Sequence, residues 1–436
     1  SVEDTPYAAI RRVPAARALC IGADGDLRRQ VLWEPPARVP PRRADSELIE
    51  QFDALLTTAL GATLRANGPV GCELSGGLDS STIATLTTAL TGAAPPCFSL
   101  VYPGAPVDFV GECLDESAYV DDVVASLGVA SFRHDPRALT SADALRVLRD
   151  HQDVPDWPFA DALRWPMAQA AAAAGCRVLL NGVGGDQWLT GTAARVTAQI
   201  RRGHLIQAWR DLRGLRALGE NDPLSHFVLA AIRASVPQRA KRWYRQWRPA
   251  TPWPAWLRPE FLRTTALADR LAVAARRSPQ TRDPVLWDSL VRFASSEQTM
   301  AREGLFRSVD DAGLEARSPF SDRRLVEFML TLPDDLRFRD GATRYILRRV
   351  VGHRLPPRIA ARTDKAGAST VQALALQRVL ASLGDAPWRV VEAGWIDGRA
   401  LNEAVRAAAS LHARPLTVRD VALWDAVSVE CFLRAS

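Results

Sequence analysis

A chain of 436 residues, 47% hydrophobic and 24% charged, can bury one large or two ordinary globular cores, which excludes fibrous and disordered classes. The Ala-rich run from Pro166 to Cys176 is well short of the roughly 18–20 apolar residues that cross a bilayer, so neither a membrane span nor a membrane partner is expected. The net charge of +6, from 55 basic and 49 acidic groups, is a small excess that argues only weakly for an anionic partner.

The opening Ser-Val-Glu-Asp is acidic where a secretory signal is basic and then apolar. The expectation is a cytoplasmic protein, cut, processed or renumbered upstream. Six cysteines lie far apart without a C-x-x-C, and six histidines show no ligand spacing, so a structural zinc site is not expected. Only two lysines occur, Lys241 and Lys365, the other 53 basic residues being arginine. Each lysine therefore stands out against an arginine background.

Residues 1–44 differ from the rest. Ala18 to Val31 reads as a hairpin around Asp24-Gly25, followed by the Pro- and Arg-rich Pro35 to Arg43, the tail of an upstream domain plus a linker. From Asp45 an amphipathic helix is predicted, capped by Asp45 or Ser46, with Leu48, Ile49, Phe52, Leu55, Leu56, Leu60 and Leu64 on one face and an end near Asn67-Gly68. Val70 to Leu74 then reads as a strand, Ser80 to Leu90 as a helix, Cys97 to Val101 as a strand, Ser117 to Leu127 and Pro166 to Ala174 as helices, and Arg177 to Leu180 as a strand. This alternation predicts an α/β fold, a parallel sheet with flanking helices, which binds ligands at the carboxyl ends of its strands. Beyond about residue 195 the chain reads as helix and loop. The division is a nucleotide-binding core at about 45–195 and a mainly helical part at about 196–436.

Glu73-Leu74-Ser75-Gly76-Gly77-Leu78-Asp79-Ser80-Ser81 follows the first strand of this core and opens a helix. Two glycines let the backbone approach a phosphate, hydroxyls and helix-start N–H groups donate to it, and the helix dipole favours its charge. Asp79 would hold a cation. A Ser/Gly turn capping an ordinary helix is the alternative. No Walker A pattern is present.

The segment resembles the S-G-G-x-D-S pyrophosphate loop of the N-type ATP pyrophosphatases. Four further segments resemble the asparagine synthetase-like branch: Asn181-Gly182-Val183-Gly184-Gly185-Asp186, Gly313 to Asp322 with its Ser318-Pro319-Phe320, Thr343-Arg344-Tyr345-Ile346-Leu347-Arg348, and Arg362-Thr363-Asp364-Lys365. The resemblance implies an adenine nucleotide α-hydrolase-like (PP-loop) fold using ATP and Mg²⁺. It implies that ATP is bound by Leu74, Ser75, Gly76, Gly77, Asp79 and Ser80, with adenine near Ser99, Leu100 and Gly182. Asp79 and Asp186 would hold the metal from opposite sides, since two converging carboxylates repel without a divalent ion between them. Lys365 would contact the phosphates and the charge developing at the activated carbonyl, a task suited to a compact ammonium. Arg344 stands where relatives carry a second phosphate-contacting cation.

The departures narrow the reading. Asparagine synthetases carry Glu at the place of Val183, and β-lactam-forming relatives a Tyr that works with a distant Glu; Val183 can do neither. The base must come from elsewhere, with Glu297 and Glu303 as candidates, or from the substrate. No N-terminal Cys and no glutaminase domain occurs, although Thr5-Pro6-Tyr7 to Leu19 resembles the last strands of one. These features look most like a lasso peptide macrocyclase. Such an enzyme adenylates an Asp or Glu side chain of a linear precursor peptide and closes an isopeptide ring with the peptide's N-terminal amine, usually beside a leader-recognition protein and a leader peptidase. An asparagine synthetase or β-lactam-forming enzyme is the alternative, and a catalytically dead scaffold a third. Arg239 to Arg248 mixes cations with aromatics, but one such segment on a nearly charge-balanced chain argues against nucleic acid as the partner.

Overall fold

The computed structural model describes residues 3–104, 115–135, 160–190, 194–216, 253–270, 281, 283–293, 295–339, 342–363, 369–384, 386–408 and 417–435. Near the start, β1 (Arg17–Ile21) and β2 (Leu27–Val31) pair antiparallel around the Asp24-Gly25 turn. Ile21, Leu27 and Val31 remain exposed. Past the hairpin, Trp33 pins the linker: its ring lies 5.5 Å from that of Phe293, and its indole N–H donates to Glu327.

Helix α1 (Asp45–Thr63) buries Leu48, Phe52, Leu56, Ala59 and Leu60, the spacing of a single apolar stripe. Its N-cap is Ala44 and carries no side-chain capping bond. The expected caps Asp45 and Ser46 are instead the first two residues of the helix, and the Asp45 carboxylate accepts from Arg42 at 2.6 Å and Arg339 at 2.9 Å.

The core sheet has five strands: β3 (Val70–Glu73), β4 (Cys97–Leu100), β5 (Ser131–His134), β6 (Val178–Leu180) and β7 (Glu315–Arg317). Their order is β5-β4-β3-β6-β7, and every neighbouring pair is parallel. Between strands run α2 (Leu78–Thr91), α3 (Ser117–Leu127), α4 (Ala160–Ala173), the one-turn α5 (Gly185–Leu189), α6 (Ala194–Arg201), α7 (Leu205–Arg216) and α8 (Ser296–Asp310). Two strands depart from expectation. β5 reads Ser-Phe-Arg-His, an edge strand too polar to show as an apolar run. β7 lies far beyond residue 195, in a stretch read as helix and loop, and its three residues are too short to display a period of two.

Each face of the sheet packs a separate apolar layer. Cys72, Cys97, Val178 and Leu180 face the layer of α1, α2 and α3, while Phe98, Leu179 and Ala316 face that of α4 and α8, with Met167, Ala168, Leu305 and Val309. Strand residues therefore alternate between layers, as a sheet buried on both sides requires.

After β7 come α9 (Arg323–Thr331), α10 (Asp334–Arg337), α11 (Tyr345–Val351) and α12 (Pro357–Ala361), which return to the first layer. A polar knot ties α6 and α7 to α10: buried Asp211 accepts from Arg195 at 2.6 Å and Gln199 at 2.7 Å, and Arg195 also lies 3.8 Å from Asp334. The last described helices, α13 (Ser369–Leu383), α14 (Gly398–Ala408) and α15 (Val418–Ala435), share their own core around Trp256, Leu376, Trp424 and Val427. Among the described residues no helix is long and apolar enough to cross a membrane.

Candidate nucleotide and metal site

The strand order reverses at β3, with β4 and β5 on one side and β6 and β7 on the other. Loops leaving β3 and β6 lie side by side there at the carboxyl edge, where doubly wound sheets bind ligands. The Ser-Gly-Gly segment and the Asn181 to Asp186 segment are these two loops.

In the first, Gly76 has φ +71°, and a Cβ on it would lie 2.5 Å from the Cβ of Tyr119 and 2.9 Å from the backbone nitrogen of Val120. Only glycine fits both the turn and the contact. Ser75 Oγ accepts from the N–H of Gly77 at 3.2 Å and lies 3.1 Å from Ser80 Oγ, which in turn accepts from the N–H of Ser75 at 3.2 Å. Leu74 is buried and its N–H donates to the carbonyl of Phe98 at 2.8 Å. The loop is thus tied to the sheet by its stem and closed by its own hydroxyls, with the amino end of α2 behind it.

Arg362 clamps this loop from outside. Its guanidinium is buried, donates to the carbonyl of Gly76 at 3.2 Å, pairs with Glu116 at 2.7 Å and lies 3.9 Å from the centre of the Tyr119 ring. Arg348 fixes the segment leading to it by donating to the carbonyls of Thr343, Ala360 and Arg362. Burial pushes the Arg348 pKa down, with neighbouring Arg344 adding to the effect.

The two loops touch through their glycines. A Cβ on Gly182 would meet the backbone nitrogen of Ser80 at 2.9 Å, and one on Gly185 would meet the Asp79 carboxyl carbon at 2.4 Å. This contact draws Asp79 beside Asp186, the second residue of α5. Arg344 bridges them: its guanidinium pairs with Asp186, and its Nε lies 3.5 Å from Asp79 Oδ1. Arg344 itself sits in the left-handed region at φ +56°, a conformation that costs a non-glycine residue about 1 kcal/mol. Its N–H donates to the carbonyl of Leu189 at 3.2 Å. Arg344, expected to face phosphate, is therefore seen between the two carboxylates.

Two carboxylates already sharing one cation are a donor set that suits Mg²⁺, which is commonly held by one or two carboxylates with substrate phosphates and water completing its shell. Among the described residues no group of three or more metal-ligating side chains exists, so protein alone would not fill that shell. Ser99 is fully buried near the end of β4, and its Oγ has no hydrogen-bond partner among the described residues. Leu100, beside it, packs on the α4 layer, as does Val183. Lys365 lies outside the described residues, as does the side chain of Glu297. Glu303 is occupied by Arg12, 2.9 Å away.

The structure thus brings Leu74, Ser75, Gly76, Gly77, Asp79, Ser80, Gly182, Asp186 and Arg344 to one crevice, with Ser99 and Leu100 on the adjoining strand. Sequence reading missed the clamp by Arg362 and its partner Glu116. The Arg-Thr-Asp-Lys segment directed attention to its lysine, and nothing in Glu116 marked it out.

Comparison with known proteins agrees with this layout. The chain is 28% identical over 165 residues to a Methanocaldococcus jannaschii protein named "Putative asparagine synthetase (glutamine-hydrolyzing) 2", a stretch spanning 37% of this chain and 30% of that protein. A U34-tRNA thiolase, NcsA from Methanococcus maripaludis, solved with its [4Fe-4S] cluster, is 14% identical and covers 61% of this chain and 82% of its own; its TM-score of 0.26 gives that likeness no weight. Residues 51–431 match the model of the family described as asparagine synthase. That match takes in both loops, the Arg344 bridge and the Arg362 clamp, and the chain belongs to the asparagine synthase family.

Proposed function

We propose that this chain is a Mg-ATP-dependent amide-forming ligase that adenylates an Asp or Glu side chain of a linear peptide and closes an isopeptide macrocycle with the peptide's N-terminal amine, releasing AMP and pyrophosphate. The observation that carries the ligase reading is the convergence of Asp79 and Asp186 beside the Ser75 to Ser80 loop at the sheet's switch point. The peptide reading is supported by Val183, which packs against the apolar α4 layer where asparagine synthetases carry a glutamate.

To bind the phosphates of ATP, which enters as a substrate, the N–H groups of Ser75 and Gly77 and the Ser75 and Ser80 hydroxyls would exchange their bonds to one another for bonds to phosphate oxygens, and the α2 dipole favours that charge. Bound between Asp79 and Asp186, Mg²⁺ would offset phosphate charge during displacement of pyrophosphate. Arg344 holds the two carboxylates together beforehand, and with its long side chain it can turn from them to the phosphates. Lys365 is assigned the charge developing at the activated carbonyl. Holding amine and acyl carbon within one peptide removes the entropy cost of a bimolecular encounter.

The test is mass spectrometry with nucleotide analysis on the protein incubated with Mg-ATP and a linear peptide bearing a free N-terminus and an internal acidic residue, taken from a short reading frame beside the gene. A product lighter by one water, with AMP, is expected. The named relative favours a second reading, and a parallel reaction with aspartate and ammonium addresses it: asparagine with AMP would replace the macrocyclase reading. AMP from neither reaction would refute the ligase.

A further inference from the structure

Val183 removes the carboxylate that would deprotonate the attacking amine, and the carboxylate that replaces it can be sought on the same face of the sheet. Parity along β3 settles which face each residue takes. A Cβ on Gly71 would lie 2.8 Å from the Phe98 ring and 3.1 Å from Cys176 Sγ, both members of the α4 layer. Glu73, two residues on, projects to that same side. Leu100 and Val183 pack on the same layer at the carboxyl ends of β4 and β6. Glu73 is the last residue of β3 and stands two residues before Ser75, so it lies at the ligand edge of the crevice.

Its carboxylate is largely enclosed and only loosely paired. Its side chain is 14% exposed, and the cation paired with it among the described residues, Arg164 in the first turns of α4, lies 3.8 Å from Oε2. That is beyond hydrogen-bond reach. Oε1 is buried and has no hydrogen-bond partner among the described residues. A buried carboxylate oxygen without a donor costs stability and is retained where a ligand supplies the donor. Glu303, the other described candidate, is held by Arg12.

We infer that Glu73 receives the incoming amine and acts as its general base, a role that rests on the ligase reading above. The ammonium proton of the peptide's N-terminus passes to the Glu73 carboxylate, and the freed nitrogen lone pair forms the C–N bond to the acyl carbon. The C–O bond to phosphate breaks, and AMP leaves with the electron pair. The second proton leaves the nitrogen for the departing phosphate oxygen.

The experiment separates the two half-reactions in the full chain, using a linear peptide with a free N-terminal amine and an internal Asp. Adenylation is read by exchange of labelled pyrophosphate into ATP, ring closure by loss of water from the peptide, and base-independent capture by hydroxylamine, which is neutral near pH 7. Glu73→Gln should keep exchange and hydroxamate formation within about threefold of wild type while ring closure falls roughly 100-fold or more, the range of general-base catalysis. Glu73→Asp should restore part of the closure rate with a displaced pH profile. Ring closure at the wild-type rate in Glu73→Gln, with exchange intact, would overturn the role of Glu73 alone. Loss of exchange and closure together in that variant would make Glu73 a structural residue and overturn it equally. Absence of exchange in the wild type would remove the ligase reading itself, and this role with it.

Discussion

Adding a single methyl group at Gly185 tests the metal assignment. The Cβ of Gly185→Ala would stand 2.4 Å from the Asp79 carboxyl carbon and 2.7 Å from each of its oxygens, against 3.4 Å or more for an ordinary contact. The carboxylate must retreat by about 1 Å, and a shift of that size is enough to break a bond to Mg²⁺, whose distances of roughly 2.1 Å tolerate little error. Misplacement on this scale costs about 100-fold in rate, or about 2.7 kcal/mol of barrier. The crowding atoms belong to a side chain that can rotate, so the folding cost should fall near the low end of overpacking, about 1 kcal/mol. Measured side by side, AMP formation should drop about 100-fold while the thermal midpoint moves only a few degrees. AMP formation within threefold of wild type would refute the claim that Asp79 and Asp186 act on one ion.

Four further outcomes follow from other contacts. Arg362→Met removes the donor to Gly76 and the partner of Glu116, and should weaken ATP binding at least tenfold by isothermal titration, leaving Glu116 buried without its cation. Arg344→Met leaves Asp79 and Asp186 facing each other, so Mg²⁺ should raise its thermal midpoint more than it raises that of wild type. Burial pushes the Asp334 carboxyl up to about 6 from 3.8, so the folded state keeps a proton that the unfolded chain releases and stability falls as pH rises between those values. In urea titrations Asp334→Asn should gain on wild type by up to about 3 kcal/mol between roughly pH 4 and pH 7. Gly61→Ala, in the last turn of α1 with nothing among the described residues within 4 Å of the added methyl, should stabilise by about 0.5–1 kcal/mol without changing activity.

The parts of the fold legible in the sequence were those whose information is local. The α1 stripe, the Ser-Gly-Gly turn and the β3-to-α2 junction each write their geometry in consecutive residues, and α3 lies where periodicity puts it. What stayed hidden depends on distant partners. β5 is a strand because β4 offers it hydrogen bonds, in a Ser-Phe-Arg-His sequence with no strand signature of its own. Ala316 is buried in β7 because β6 and α8 cover it. At the site, the motifs located Asp79, Asp186 and Arg344, but their spacing in the chain could not show the arginine lying between the two acids. Glu73 went unremarked as chemistry because only the parity of β3 reveals which layer it faces.

Much of the crevice is built from residues that reach the ribosome exit late. The edge strand β7, the Arg344 bridge and the Arg362 clamp are all synthesised more than 200 residues after the Ser-Gly-Gly loop they complete. During translation β3 to β6 would have to wait, with one side of β6 unpaired and the loop unclamped, until residue 362 emerges. Pairing across so long a separation is slow to form. Nascent chains halted before β7 should therefore expose an open strand edge to chaperones, and competence to bind ATP should arise abruptly once the Arg362 segment has been made.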